Sequence, residues 1–127
     1  MTPTATILLV DDEEELRLAA EKAVVREGYR ITTAGTAHEG LSRFAGEGAD
    51  LLITDLLLPD LDGIEVLRQA KQLRPTVEVI VITGHGTIEN AVEAMRLGAY
   101  DFIEKPFDPP VLLKAIRRAL ERQQLTA

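Results

Sequence analysis

Three nearly unbroken apolar runs, ILLV at 7–10, LLIT at 51–54 and VIVI at 79–82, each stop at a residue capable of chemistry. The first runs into Asp11 and Asp12, the second into Asp55 and the third into Thr83. A shorter segment, DFIE at 101–104, runs into Lys105. Runs of this kind are strands buried on both faces, which occur where helices cover a parallel sheet. Between them the apolar spacing changes to the 3.6-residue period of amphipathic helices. The pattern predicts strands at about 6–10, 29–34, 50–54, 77–83 and 100–104, and helices at about 13–27, 37–45, 64–73, 87–97 and 109–122. Five strand–helix repeats make βαβ units with right-handed crossovers.

The helix boundaries have local causes. Asp12 followed by Glu15 resembles a capping box, and Gly28 suits the stop of the first helix. Thr36 with Glu39 repeats the capping pattern, Thr87 is a natural N-cap, and Asp108–Pro109 reads as N-cap and first turn. The expected core stripes are Leu16, Ala19, Ala20, Ala23 and Val24 in the first helix, and Ala37, Leu41 and Phe44 in the second. The fourth contributes Ile88, Ala91, Val92 and Met95, ended by Gly98. The last contributes Leu112, Ala115, Ile116, Ala119 and Leu120. YRITTA and YDFIE alternate more than the other strands and belong at the edges. The fold class is therefore α/β, a doubly wound, flavodoxin-like (βα)5 three-layer sandwich with a parallel sheet of order 2-1-3-4-5. Its 127 residues suit one domain, with a core over about 5–122 and residues 123–127 starting a linker or tail.

In such a sheet, ligands bind outside the carboxyl ends of the strands, at the switch point between the first and third. Asp11, Asp12 and Asp55 meet there. Two carboxylates about 4 Å apart repel by about 4 kcal/mol at an effective dielectric of ~20, so the cluster requires a cation or a raised pKa. Oxygen-only ligands favour a hard ion, and Mg2+ typically takes one or two carboxylates plus phosphate oxygens. Lys105 and Thr83 would address a phosphoryl group, for which Asp55 is a plausible nucleophile. Gly84-His85-Gly86 forms an open loop matching no nucleotide-binding pattern. His85 reads as an exposed loop residue and His38 as part of a solvated helix face. The net charge of −7 disfavours nucleic acid binding. Lys114, Arg117, Arg118 and Arg122 read as a solvated face. There is no Cys, no membrane-length apolar run and no signal peptide at MTPTATILLV, which points to the cytoplasm.

Together these residues resemble a response regulator receiver domain of two-component signalling. The resemblance rests on Val10-Asp11-Asp12-Glu13, on Asp55 followed by Pro59, Asp62 and Gly63, on Thr83-Gly84, and on the stretch from Gly98 through Lys105-Pro106-Phe107. It is strongest to receivers of the nitrogen-regulation type that precede AAA+ transcription activators. The resemblance implies that Asp55 accepts phosphate from a sensor histidine kinase. It implies Mg2+ held by Asp12, Asp55 and the Leu57 backbone carbonyl, with Asp11 acting through water. Lys105 would pair with the phosphoryl oxygens, and Thr83 and Phe102 would switch position, changing the 84–107 surface. It also implies a cis Lys105-Pro106 bond, and as further partners a second copy of the chain and a C-terminal effector. The only covalent chemistry would be on the protein itself, so it is not an enzyme. A Mg2+-dependent aspartyl phosphatase is the rival reading, but such enzymes commonly carry a second Asp two residues on, where this chain has Leu57. A receiver that scaffolds without being phosphorylated is the third.

Overall fold

The structure, a computed structural model, describes residues 4–84 and 86–126, so His85 lies outside the described residues. Five strands, β1 (Thr6–Val10), β2 (Arg30–Ala34), β3 (Leu51–Asp55), β4 (Glu78–Thr83) and β5 (Asp101–Glu104), alternate with five helices. The helices are α1 (Glu14–Arg26), α2 (Ala37–Glu47), α3 (Gly63–Leu73), α4 (Ile88–Arg96) and α5 (Pro109–Thr126). All pairings are parallel, in the order β2-β1-β3-β4-β5. The continuous apolar runs hold the centre and the two alternating strands the edges, as their compositions require.

The pleat divides the core. Leu8, Val10, Leu52, Val79 and Val81 pack with Phe44, Val66, Leu67 and Ala94, on the α2–α3–α4 side. Ile7, Leu9, Ile53, Ile80 and Ile82 pack with Val24, Leu112, Ile116 and Ala119, on the α1–α5 side. Successive side chains of a strand point to opposite faces, so one run of aliphatics feeds both cores. Each such side chain, fully buried, contributes roughly 1.5–3 kcal/mol.

The expected α5 stripe is buried throughout: Leu112, Ala115, Ile116, Ala119 and Leu120. Only Ala20 and Val24 of the α1 stripe are fully buried, and Ala19 is exposed. The α4 stripe is a correction. Ile88 is 84% exposed, Val92 52% and Met95 48%, whereas Ala94 is the helix's buried residue. Helix α4 is short and meets the sheet through its small residues, so its apolar spacing reports an outward face, not a core face.

Capping is mixed as well. Thr36 accepts from the Glu39 amide at 3.2 Å and Thr87 from the Asn90 amide at 3.0 Å. The capping box at Asp12 does not form: the N-cap is Glu13, without a side-chain cap bond. Asp11 Oδ1 instead accepts from the Glu13 amide at 2.8 Å. Helix α5 runs past residue 122 to Thr126. Glu, Arg, Gln and Leu are good helix formers, and tertiary bonds hold the added turn. Arg122 Nε lies 2.7 Å from Glu78 Oε2, and Gln123 Nε2 donates to the Asp50 carbonyl at 3.1 Å. Arg122 is thus more than part of a solvated face. None of the helices, among the described residues, is long and apolar enough to cross a membrane.

Candidate functional site

The carboxyl edge of the sheet gathers the strand-end residues. Asp55 is the last residue of β3 and continues the parity of Leu51 and Ile53, toward the α1–α5 side. Asp11 follows β1, its amide bonded to the Ala34 carbonyl at 3.0 Å. Both are buried, Asp11 completely. Asp12, one residue on, is exposed. One carboxylate oxygen from each of the three lies within 4.8 Å of the others. At that separation each pair of charges repels by roughly 3–4 kcal/mol at an effective dielectric of ~20.

Lys105 offsets part of this. Its Nζ sits 2.9 Å from Asp55 Oδ2, 2.8 Å from Asp11 Oδ2 and 3.4 Å from Glu13 Oε1. The Lys105 amide donates to the Thr83 carbonyl at 2.7 Å, so the turn carrying the ammonium is tied to the end of β4. The following Lys105-Pro106 bond is cis. Burial alone would lower the ammonium's pKa, but bonds to Asp11 and Asp55 dominate together and raise it. For Asp11, burial raises the carboxyl's pKa and is only partly countered by Lys105.

The loop after β3 is closely tethered. Asp55 Oδ1 accepts from the Leu57 amide at 3.2 Å, and the Gly63 amide donates to the Leu56 carbonyl at 2.8 Å. Leu57 and Asp62 form an isolated antiparallel bridge, and Asp62 caps α3 through the Ile64 amide at 2.8 Å. Asp60, from the same loop, accepts from the Ala37 and His38 amides at 2.8 and 2.9 Å and contacts His38 Nδ1. It therefore caps α2 from another element, and these bonds lower its pKa to about 2.

Thr83 has the parity of Val79 and Val81 and belongs to the α3–α4 side. Phe102 packs on that same core. A Cβ on Gly86 would lie 2.8 Å from two Phe102 ring carbons and 2.8 Å from Thr83 Cγ2. The glycine supplies space for the ring, a more specific role than loop freedom. The pleat thus separates the acids and Lys105, on one side, from Thr83 and Phe102 on the other.

The donor set is all oxygen, clustered, and partly buried, which fits Mg2+ and excludes a soft-metal site. Asp11, Asp12, Asp55, Leu57, Thr83 and Lys105 lie at this edge, whereas Phe102 lies within β5 and packs on the opposite face. Sequence reasoning missed the roles of Glu13 and Asp60. Glu13 adjoins the acidic pair in sequence, a usable signal. Asp60 caps a helix more than twenty residues away, and local pattern carries no trace of that.

Residues 7–117 match the family model of the response regulator receiver domain. Over 116 residues, 91% of this chain, it is 41% identical to the transcriptional regulatory protein FixJ of Rhizobium meliloti, spanning 57% of that protein. It is 42% identical over 121 residues to the nitrogen assimilation regulatory protein NtrX of Azorhizobium caulinodans, covering 94% of this chain and 27% of NtrX. The chain thus spans less than two thirds of either relative. The crystal structure of a CheY-like receiver domain protein from Methanospirillum hungatei superposes with a TM-score of 0.95 at 35% identity, covering 98% of this chain and 100% of that one.

Proposed function

This chain belongs to the response regulator receiver domain family, the phosphorylation switch of two-component transcription regulators, and we propose that Asp55 is its phosphoacceptor. The observation that carries this reading is the Lys105 ammonium bridging Asp55 and Asp11 at 2.9 and 2.8 Å beside Asp12. Receiver domains generally bind Mg2+ at such an acidic pocket. Here Asp12, Asp55 and the Leu57 carbonyl would hold the ion directly, and Asp11 through water. The ion supplies charge neutralisation of the phosphoryl oxygens and of the crowded carboxylates.

An Asp55 carboxylate oxygen attacks the phosphorus of a kinase phosphohistidine. The P–O bond forms as the P–N bond breaks, and the imidazole nitrogen keeps the electron pair. Lys105 is held charged by its two carboxylates and remains beside Asp55 to face the incoming oxygens. Thr83 offers a hydroxyl donor, and Phe102 moves with it. The added charge of about −1.5 to −2 biases two conformations of the 84–107 surface. Helix α4 presents Ile88, Val92 and Met95 on that surface, an apolar stripe suited to a second copy or to an attached effector. One receiver unit fills the chain, works in the cytoplasm, and confines its covalent chemistry to phosphorylation and dephosphorylation of its own Asp55.

Acetyl phosphate or a histidine kinase with Mg2+ should label the protein, and Asp55→Asn should abolish the label. Unchanged labelling would remove Asp55 from the role. A second outcome concerns lifetime. The Leu57 side chain, beside the acceptor in a residue 53% exposed, carries no polar group to orient an attacking water. Leu57→Asn should therefore speed loss of the acyl phosphate several-fold, since positioning the nucleophilic water is a principal protein contribution to phosphoryl transfer. Decay measured from isolated labelled protein that is unchanged or slower would refute it.

A further inference from the structure

Arg17 of α1 bonds neither to the acids' side chains nor to Lys105 among its described contacts, yet it reaches the acidic turn. Its Nη1 donates to the Asp11 backbone carbonyl at 2.7 Å. That carbonyl shares a rigid plane with the Asp12 amide, because the peptide bond does not rotate. Fixing the direction of the Asp11 carbonyl fixes the plane from which Asp12 departs. Of the other anchors of Asp11, its amide on Ala34 and Oδ2 beside Lys105 hold it from upstream and from the side, while Oδ1 on the Glu13 amide closes the turn across Asp12 without touching the Asp11 carbonyl. Asp12 is exposed, and the capping bond expected of it does not form. The Arg17 bond acts directly on the peptide plane that aims it.

Gly35 completes the arrangement. It follows β2 and leaves open the space beside the guanidinium: a Cβ there would stand 3.3 Å from Arg17 Nη1 and 3.7 Å from Cζ. Two βα turns thereby meet around one guanidinium, one giving the carbonyl and the other giving clearance. The charge on the guanidinium makes this single bond stronger than a neutral one.

We propose that Arg17 is a positioning residue for the metal-binding turn, holding the Asp11–Asp12 peptide so that the Asp12 carboxylate faces Asp55, with Gly35 keeping its place clear. This rests on the reading of Asp11, Asp12 and Asp55 as a Mg2+ site. Partners that orient metal ligands commonly account for 10–100-fold in affinity, so Arg17→Ala should weaken Mg2+ binding by about tenfold. Arg17→Lys, which keeps one donor, should recover most of the loss. Gly35→Ala should weaken binding in the wild-type background but add little to Arg17→Ala, because both act through the same guanidinium.

Mg2+ titration of the unphosphorylated protein, followed by calorimetry and backbone amide shifts, reads these effects without any phosphotransfer. The amide spectrum and Tm of each variant report folding separately. Weakened Mg2+ binding in Arg17→Ala with a native spectrum, plus the non-additive Gly35→Ala result, supports the proposal. Wild-type affinity in Arg17→Ala, or a Gly35→Ala effect that persists in full without Arg17, overturns it. A wild-type protein that fails to bind Mg2+ overturns the metal-site reading itself and Arg17's role with it, a result distinct from a defect confined to the variants.

Discussion

Gly63→Ala is expected to destabilise the fold by about 3 kcal/mol or more and to remove phosphorylation with it. Gly63 opens α3 and is buried against the end of β3. A Cβ on it would stand 2.1 Å from the Asp55 carbonyl oxygen, 2.7 Å from Leu56 Cα and 3.0 Å from the Asp55 carbonyl carbon. All three are backbone atoms, so no rotamer change relieves the overlap. Either β3 or α3 must shift. Shifting α3 breaks the Gly63–Leu56 bond; shifting β3 displaces Asp55. The requirement is for space, since Gly63 does not have a positive φ. For a domain of this size each kcal/mol moves Tm by roughly 3–5 °C, so a fall of about 10 °C or more is expected. Urea unfolding and Mg2+-dependent labelling measure the two consequences. A variant melting within about 2 °C of the wild type would contradict the steric account.

The architecture was legible because burial on both faces writes itself into composition. The runs at 7–10, 51–54 and 79–82 could only be central strands, and their polar ends had to share one edge. What remained hidden depends on contacts between elements. The spacing of Ile88, Val92 and Met95 is the same whether the stripe faces core or solvent. Only the packing of Ala94 shows which face is inward. The final turn of α5 depends on Arg122 reaching the buried carboxylate of Glu78. Asp12 looked like a helix cap because it stands where one would, but the neighbouring Asp11 bonds the Glu13 amide instead, while the Asp12 carboxylate joins the acidic cluster. In the sequence Gly86 reads as part of an open loop and Gly63 as a motif residue, while Gly35 gives no signal. In the fold each is a clearance for a particular neighbour: a guanidinium, a strand backbone and an aromatic ring.

Asp11→Asn should reverse the order of stability between metal-free and metal-bound protein. Asp11 is fully buried, and its oxygen lies within 4.8 Å of those of Asp12 and Asp55. Burial raises its pKa above 3.8 despite Lys105, so its ionised form is disfavoured on folding. The sign follows by linkage: as pH rises through the interval above 3.8, the unfolded chain gives up this proton first and the metal-free fold loses stability. Asparagine removes the charge and keeps an oxygen for the Glu13 amide. Lys105 loses one partner but retains Asp55 at 2.9 Å. The metal-free variant should therefore melt several degrees above the wild type at neutral pH, and the advantage should shrink as pH falls toward 4. Adding Mg2+ inverts the comparison. Saturation at about 100 times Kd stabilises a binding protein by about 2.7 kcal/mol, and the variant, short of one charge at the site, gains much less. Paired melts with EDTA and with Mg2+ decide the matter. If the variant melts lower in EDTA, the Asp11–Lys105 attraction outweighs the crowding of the acids, and the carboxylates are held together by the lysine rather than strained for the sake of the metal.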